Sequence, residues 1–309
     1  MAELLPISLI MPTRNRAAVL RRTLPLYLHL PVAQLVVVDD ASADETRAVV
    51  TDSADARILY HRAPRRLYQP AARNVGIGLA TQPYVLMGED DVLMDAAYVQ
   101  TLWHELATLP ADVVAGRLIS LLPGESAATA LARSDAAGRT QVVYPARFAF
   151  DFACRLAAPL ATPCLHACSL FARELALRHP YHEDYRGNAL REESDFYLTV
   201  HAAGARLYFC SAAVCYHLPH DYGGGCRDDV VRYTLAGIRN NHHFVRRHWP
   251  VLRQVLGLSG GPWRYALGLD YWHARLNLGA WLARHAALLH RLVRRGPAGA
   301  RRQPPAPPN

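Results

Sequence analysis

The sequence predicts an α/β fold with a mostly parallel central sheet flanked by helices. Apolar runs of strand length, at residues 7–11, 35–38 and 84–87, alternate with stretches of helical periodicity. Such alternation produces right-handed βαβ units with parallel strands. A polar segment follows each of the three runs, and ligands of these sheets bind beyond the carboxyl ends of the strands. We therefore expect the functional site at that edge.

The first half of the chain is predicted as alternating strands and helices. Pro12 stops the first strand, because proline lacks the N–H that a sheet needs. Ser42 and Glu45 have the spacing of a capping box, Pro70 suits the first turn of a helix, and Asp95 is placed to cap another. The expected elements are strands at residues 7–11, 35–38, 57–60, 84–87 and 113–122, and helices near residues 19–24, 42–52, 70–80 and 95–106.

The second half has a weaker pattern. Residues 123–165 show no firm period, so we expect loops and short strands there, forming an acceptor-facing insertion. Gly204 supplies a stop for a helix at residues 194–203. Two strand-like runs follow, at residues 206–210 and 213–216.

The C-terminal part is predicted to be helical from about residue 228, with interruptions at Pro250 and residues 260–262. Its last helix carries an apolar face with arginines beside it, a pattern typical of helices that lie on anionic membrane surfaces. Packing on the body or on a second subunit is an equal alternative. These positions are Leu278, Trp281, Leu282, Leu288, Leu289, Leu292, Arg284, Arg291, Arg294 and Arg295.

Charge is distributed unevenly along the chain. All 34 basic residues are arginines, which excludes a Schiff-base lysine and the phosphate-binding lysine of a Walker loop. Eight of them lie between residues 264 and 302 against Asp270 alone, so most of the net charge of +8 belongs to this segment. A nearly neutral body argues against nucleic acid as a partner.

The cysteine content and the N-terminus predict a reducing compartment. Six cysteines occur in 309 residues, and the N-terminus lacks the basic segment of a signal peptide. The cysteine spacings lack the two-residue spacer of zinc sites, which favours buried free thiols. No run of about twenty residues is free of charge, so no membrane-spanning helix is expected. We expect a cytoplasmic protein, either free or docked on the inner face of the membrane.

Three consecutive acids, Glu89, Asp90 and Asp91, follow the strand at residues 84–87. Glu89 and Asp91 are two positions apart and project to the same side of an extended chain. Two carboxylates held that close repel one another unless a cation lies between them. Oxygen ligands suit Mg²⁺ or Mn²⁺, which often keep positions open for substrate phosphates. A solvated acidic turn is the alternative interpretation.

Six short motifs occur in a fixed order over about residues 6–250. They are Pro-Thr-Arg-Asn-Arg at 12–16, Val-Asp-Asp-Ala-Ser at 38–42, Ala-Arg-Asn-Val-Gly at 72–76, Glu-Asp-Asp at 89–91, Arg-Glu-Glu-Ser-Asp at 191–195 and Val-Cys-Tyr-His at 214–217. In this order they resemble a family 2 glycosyltransferase. The resemblance implies the GT-A fold and transfer of a sugar, with inversion, from a nucleotide-sugar donor to a hydroxyl acceptor such as a glycan, a lipid-linked compound or a small molecule.

The resemblance also suggests a division of the chain. The catalytic domain would cover residues 1–220, with a nucleotide-binding half at about 1–120 and an acceptor-binding half at about 121–220. A helical extension would follow at residues 221–295. Proline-rich residues 296–309 predict a disordered tail.

The donor nucleotide is expected to contact the segments that follow the first two strands. Asp39 and Asp40 would accept hydrogen bonds from a ribose or a base edge, although Asp40 also has the position of a helix cap. Arg73 lies near a helix start, where the helix dipole does not favour a cation, so we expect it to clamp a phosphate or to hold Asp90. The implied nucleotide-binding residues are Pro12, Thr13, Arg14, Asn15, Arg16, Asp39, Asp40, Arg73 and Asp90.

The implied metal ligands for Mn²⁺ or Mg²⁺ are Glu89, Asp91 and His217. Glutamate replaces the first aspartate of the family's Asp-x-Asp motif, so Asp91 is the stronger candidate of the two acids. A metal there would bridge the donor diphosphate and stabilise the charge of the leaving group. An ordinary core or surface histidine is the alternative interpretation of His217.

The general base is expected among the acids at residues 192–195. Glu193 matches the base position, where most relatives have aspartate, and Asp195 and then Glu192 are the other candidates. Simple stabilisation of the helix N-terminus by these acids is the alternative. His166 and Ser169 match the acceptor-facing loop of the family.

Two other functions fit parts of this pattern. A catalytically degenerate member would bind nucleotide or glycan without turnover, and the two glutamate-for-aspartate departures keep this alternative open. A sugar-1-phosphate nucleotidyltransferase would need a glycine-rich loop and a basic phosphate-binding residue after the first strand, and residues 11–13 lack such glycines.

Overall fold

The computed structural model describes residues 3–219 and 229–294, with the backbone alone for residues 280–294. The strands are β1 (Leu5–Thr13), β2 (Val32–Asp39), β3 (Ile58–Arg62), β4 (Tyr84–Met87), β5 (Val92–Leu93), β6 (Val113–Ser120), β7 (Val143–Tyr144), β8 (Ala149–Phe150), β9 (Leu160–Ala161), β10 (Ser169–Ala172) and β11 (Leu207–His217). The helices are α1 (Ala17–Tyr27), α2 (Thr46–Thr51), α3 (Gln69–Leu79), α4 (Ala96–Thr108), α5 (Ala127–Ala136), α6 (Arg173–Arg178), α7 (Glu192–Ala202), α8 (Val230–Leu256) and α9 (Pro262–Arg294).

Among the described residues, the central sheet has nine strands, in the order β3-β2-β1-β4-β10-β6-β11-β5, with β9 paired to β11. The pairs among β1 to β4 are parallel, and so is β6 with β11. Strand β10 runs antiparallel between β4 and β6. The predicted α/β class with a mostly parallel sheet is therefore confirmed.

Alternate side chains of the inner strands enter two apolar layers. In β1, Leu9 packs into one layer and Ile10 into the other. Helix α3 lies very close to the sheet, because an added Cβ at Gly76 would come within 2.3 Å of Ile10 Cγ2. This contact explains the glycine that ends the motif at residues 72–76.

The carboxyl ends of the first strands meet at one edge of the sheet, as the sequence predicts. Thr13 is paired with Asp39, and Asp39 with Arg62. The N–H of Gly88, just beyond β4, donates to the carbonyl of Ile10 at 2.8 Å. The polar segments after β1, β2 and β4 therefore border the same space.

The predicted capping box at Ser42 and Glu45 is wrong. Helix α2 begins at Thr46, whose N–H donates to the Asp44 carboxylate. The hydroxyl of Ser42 instead accepts from the N–H of Asn15 at 2.8 Å. A tertiary contact between two loops has taken the hydroxyl that the local pattern assigned to the helix.

Three further expectations for the later part of the chain are wrong. Helix α5 forms within the segment expected to hold only loops and strands, and Ser126 caps it by accepting from the N–H of Thr129. The two strand-like runs near residue 210 form one strand, β11, with an irregular register between Phe209 and Val214. Helix α8 continues through Pro250, where buried residues such as Leu252 hold it against the body.

Helices α8 and α9 form a hairpin against the body of the protein. Gly237 of α8 lies against His273 of α9, where an added Cβ would overlap the imidazole. Asp270 accepts from Asn241 and bonds His242, which ties the two helices together. The apolar face predicted to contact a membrane or a second subunit lies mostly beyond residue 279, where no side chains are described. The predicted tail at residues 296–309 also lies outside the described residues.

Two findings bear on compartment and membrane. The five described cysteines are buried and free, as expected from their spacing. Within residues 3–219 and 229–294, no helix combines the length and the hydropathy that crossing a bilayer requires.

Candidate active site

Two side chains of helix α1 hold the acidic turn, which comprises residues 89–91 after β4. The hydroxyl of Tyr27 donates to the carbonyls of Glu89 (2.7 Å) and Val92 (2.9 Å). The hydroxyl of Thr23 donates to the carbonyl of Asp90 at 2.9 Å. These bonds fix the backbone of the turn, and nothing in the local sequence indicates them.

Asp90 anchors the loop after β1 to this turn. Its carboxylate accepts from Thr13 Oγ1 at 2.7 Å and pairs with Arg16 Nε at 3.3 Å. Burial raises the pKa of Asp90 to about 7, and the Arg16 guanidinium acts in the opposite direction. The expectation that Arg73 holds Asp90 is wrong, because Arg16 occupies that position.

The three predicted metal ligands lie together. One ligand atom from each of Glu89, Asp91 and His217 lies within 4.8 Å of the others. His217 Nδ1 is 2.7 Å from the carbonyl of Leu218, which can only accept, so Nδ1 is the donor of this bond and in the neutral imidazole the lone pair is on Nε2. Nε2 lies 3.6 Å from Asp91 Oδ1, while Arg16 pairs with Asp91 Oδ2 at 2.6 Å.

Arg73 joins the acidic turn to helix α7. Its side chain is fully buried. Nε donates to Glu192 Oε1 at 3.0 Å, and Nη2 lies 3.0 Å from Glu193 Oε1 and 3.4 Å from Glu89 Oε1. The expected pairing of Arg73 is present with these three carboxylates, and its contact with a donor phosphate stays a prediction.

The three acids of α7 have different surroundings. The Asp195 side chain is 1% exposed and is paired with His248 Nε2 at 2.8 Å and Arg247 Nε at 2.9 Å. Glu192 is 3% exposed, and burial raises its pKa to about 7. Glu193 is 30% exposed, and burial together with the nearby Glu89 raises its pKa well above the usual range.

An open cleft of about 270 Å³ lies between the acidic turn and the start of α7. Glu89 and Glu193 both line it, together with Gln69 and Ser194. Glu192 also lines the cleft but is 3% exposed, and Asp195 is 1% exposed and paired with two residues of α8, so Glu193 has the most exposed carboxylate of the three.

The carboxylates of Asp39 and Asp40 accept hydrogen bonds from the loops beside the carboxyl edge of the sheet. Asp39 is fully buried and accepts from the N–H of Ser42 and the hydroxyl of Tyr60. Asp40 accepts from the N–H groups of Leu67 and Tyr68 ahead of α3. Their contacts with a nucleotide stay a prediction.

Several residues at this edge have strained backbones. Asn15, Ala41, Tyr68 and Arg191 have φ values of 52°, 57°, 70° and 77°, a region that favours glycine. Such outliers persist where surrounding bonds determine them and often cluster at functional sites. Here Asn15 Oδ1 accepts from Ala43 N–H at 2.7 Å, which holds the loop after β1 in place.

The remaining predicted site residues lie outside the cleft lining or inside the protein. They are Pro12, Arg14, His166 and Ser169. Pro12 pairs with Val38 inside the sheet, and Arg14 is exposed beside the strained Asn15. His166 is buried and bonds the carbonyl of Gly116, and burial lowers its pKa to about 4. Ser169 is fully buried against the Tyr197 hydroxyl at 2.7 Å. His166 and Ser169 are therefore bonded to other residues of the protein interior, and neither lines the cleft.

The family model for Glycosyl transferase family 2 matches residues 8–174, more than half of the chain. This chain belongs to glycosyltransferase family 2. The match runs from within β1 to the end of β10, including the loop after β1 and the acidic turn.

Curated relatives of this family 2 member include validoxylamine A glucosyltransferases from two subspecies of Streptomyces hygroscopicus. The jinggangensis enzyme is 39% identical over 117 residues, and the limoneus enzyme is 38% identical over 117 residues. The matched segment spans 36% of this chain but only 28% and 26% of the two relatives.

Solved structures with the same fold share little sequence with it. The S. aureus protein TarS, residues 1–349 with UDP-GlcNAc, has a TM-score of 0.55 at 15% identity, covering 80% of this chain and 74% of TarS. The Pyrobaculum calidifontis mannosyltransferase PcManGT, with GDP-Man and Mn²⁺, has a TM-score of 0.56 at 20% identity, covering 93% and 76%. The chain has the GT-A fold expected from the resemblance.

Proposed function

We propose that this family 2 member transfers a sugar, with inversion, from a nucleoside diphosphate donor to an acceptor hydroxyl, assisted by a divalent metal. One observation carries the proposal. Glu89, a candidate metal ligand, and Glu193, the candidate base, contact the same Nη2 atom of Arg73. Both side chains also line the same cleft, which supports a direct displacement at a donor sugar bound there.

Glu89, Asp91 and His217 would hold the metal. The donor set fits, since one ligand atom from each residue lies within 4.8 Å of the others and the Nδ1 bond of His217 to the Leu218 carbonyl leaves Nε2 as its ligand atom. Two carboxylates and an imidazole suit Mn²⁺ better than Mg²⁺, which favours oxygen ligands. When bound, such an ion would neutralise the charge that grows on the nucleoside diphosphate as its bond to the sugar breaks.

Glu193 would act as the general base. It is the most exposed of the three acids at the start of α7, and it lines the cleft. Its raised pKa makes it a stronger proton acceptor than an ordinary carboxylate. A carboxylate oxygen of Glu193 would take the proton of the acceptor hydroxyl as the acceptor oxygen attacks the anomeric carbon, and the bond from that carbon to the nucleoside diphosphate would break. Arg73 and Glu192 would position this side chain from the buried side.

The relatives support the substrate classes. TarS and PcManGT were solved with nucleoside diphosphate sugars, and PcManGT also with Mn²⁺. The curated relatives are glucosyltransferases. A nucleoside diphosphate hexose is therefore the proposed donor. The family match leaves the nucleotidyltransferase alternative without support.

The test compares turnover with binding. We expect Mn²⁺-dependent release of nucleoside diphosphate from one member of a panel of nucleoside diphosphate hexoses, by acceptor-independent hydrolysis or in the presence of hydroxyl acceptors. Glu193→Gln should lower the rate by about 10²–10⁴-fold while donor affinity is kept. Glu174→Gln, which changes an exposed acid on α6, is the matched control and should not lower the rate.

Two results would contradict the proposal. Undiminished turnover in Glu193→Gln would remove Glu193 from the base position. Donor binding without turnover in the parent protein, under every acceptor tried, would indicate the catalytically degenerate alternative.

A further inference from the structure

A second group of metal-ligating side chains lies away from the cleft-lining residues. His182 and Asp184 belong to the segment between α6 and α7, and His243 belongs to α8. One ligand atom from each of the three lies within 4.8 Å of the others, and His182 Nδ1 is 4.0 Å from Asp184 Oδ2. None of these residues lines the cleft between Glu89 and Glu193.

Two ring nitrogens of this group are buried without a partner. Neither His182 Nδ1 nor His243 Nε2 has a hydrogen-bond partner among the described residues, although both atoms are shielded from solvent. Buried polar atoms are nearly always paired, so each unpaired atom calls for a physical explanation. Tyr185 packs edge-on against both imidazoles, with centroid distances of 6.1 and 5.1 Å, which keeps the two rings oriented.

We propose that His182, Asp184 and His243 bind a Zn²⁺ ion that fastens the segment before α7 to helix α8. Two imidazoles and one carboxylate suit Zn²⁺, with a water molecule in the fourth position. Bonds of about 2.1 Å in a tetrahedron place ligand atoms about 3.4 Å apart, so side-chain rotation must draw the three together by roughly 1 Å.

The charges around the group are compatible with a cation. Burial, and then the neighbouring His182, lower the pKa of His243. The guanidinium of Arg247 also acts on His243, and its Nε is paired with Asp195 Oδ2 at 2.9 Å. Asp184 supplies the negative charge of the proposed site.

Such an ion would stabilise the surroundings of Arg73. Asn74 bonds the backbone of Tyr181 through both its amide atoms, and so ties one side of the segment to α3. The Tyr181 ring stacks on Phe196 of α7 at 4.3 Å, and the Arg73 guanidinium lies 5.5 Å from that ring. The zinc would tie the other side of the same segment to α8.

Metal binding to the full chain tests this inference. We expect tight binding of one Zn²⁺ in competition with a chromophoric chelator, and a tetrahedral Co²⁺ absorption spectrum after substitution. His182→Gln and His243→Gln should each weaken binding by at least about 100-fold and abolish the Co²⁺ spectrum. His104→Gln, at an exposed histidine of α4, is the matched control, and Asp91→Asn separates this site from the one at the acidic turn.

The outcomes are distinct. Tight binding retained in Asp91→Asn and His104→Gln but lost in the other two variants supports the site. Absence of tight Zn²⁺ binding by the parent protein would overturn it, and so would unchanged binding in His182→Gln. His182 is on a loop and 27% exposed, so this variant stays informative even where His243→Gln fails to fold. The test does not depend on sugar transfer, so it can fail while the proposed function stands.

Discussion

Replacing Arg73 with methionine tests the charge network beneath the cleft. The guanidinium is fully buried between Glu192, Glu193 and Glu89, at 3.0, 3.0 and 3.4 Å. Methionine keeps much of the volume and removes the charge and all three contacts. Removing one partner of a buried ion pair costs about 3–5 kcal/mol, because the other charge is left uncompensated. Most of this should come from Glu192, which is 3% exposed, and less from the more exposed Glu193.

The loss should depend on pH. Burial raises the pKa of Glu192 to about 7 even with Arg73 present, and loss of the guanidinium must raise it further. Below its pKa, Glu192 is protonated and needs no cation. Above it, the folded variant must either bury an uncompensated carboxylate or keep a proton that the unfolded chain would release, and both cost free energy. We therefore expect the full loss of unfolding free energy at pH 8.5 and less than half of it at pH 5.5.

Urea unfolding in EDTA at the two pH values measures this effect. Arg178→Met, at an exposed arginine of α6, is the control and should change stability by less than about 0.5 kcal/mol. Adding Glu192→Gln to Arg73→Met should recover part of the loss at pH 8.5. A loss below about 1 kcal/mol at pH 8.5, or equal losses at both pH values, would refute the reasoning.

Three further predictions concern packing and the two assigned acids. Gly76→Ala should destabilise the protein by about 1–3 kcal/mol in thermal unfolding through its clash with the sheet, whereas Gly78→Ala, two positions along with open space around it, should stabilise by up to about 1 kcal/mol; equal effects would contradict the close approach. The acid limb of kcat/KM should lie above the ordinary glutamate value of 4.5, because a base must be deprotonated and the pKa of Glu193 is raised; a limb at or below 4.5 would count against that assignment. Asp195→Asn should cost about 3–5 kcal/mol by leaving His248 without its carboxylate yet retain turnover at low temperature; a folded but inactive variant would move the base to Asp195.

Much of the sheet could be predicted because its signals are local. The apolar runs that form β1, β2 and β4 are short and bounded by polar segments, and parallel topology then brings their ends to one edge. Pro70 and Asp95 fulfil their predicted roles at helix starts, since both act within one turn. Helix α5 was missed because its alanine-rich stretch shows no clear apolar period.

The site's support could not be predicted, because it depends on distant contacts. The partners of Arg73 on α7 lie 119 and 120 positions along the chain. Ser42 has the local pattern of a cap, but a second loop takes its hydroxyl. The imidazoles of His182 and His243 come together only through the packing of α8, and no spacing in the sequence marks them as a pair.

Donor binding with and without Mn²⁺ tests the central claim most directly. Calorimetric titration of the parent protein with the nucleoside diphosphate sugar selected from the panel should show affinity that depends on Mn²⁺ and falls in EDTA. Asp91→Asn should lower that metal-dependent affinity by about 10-fold or more, while Asp52→Asn, at an exposed acid after α2, should match the parent. Equal affinity in Mn²⁺ and EDTA, or an unchanged affinity in Asp91→Asn, would contradict a metal-assisted donor site at the acidic turn.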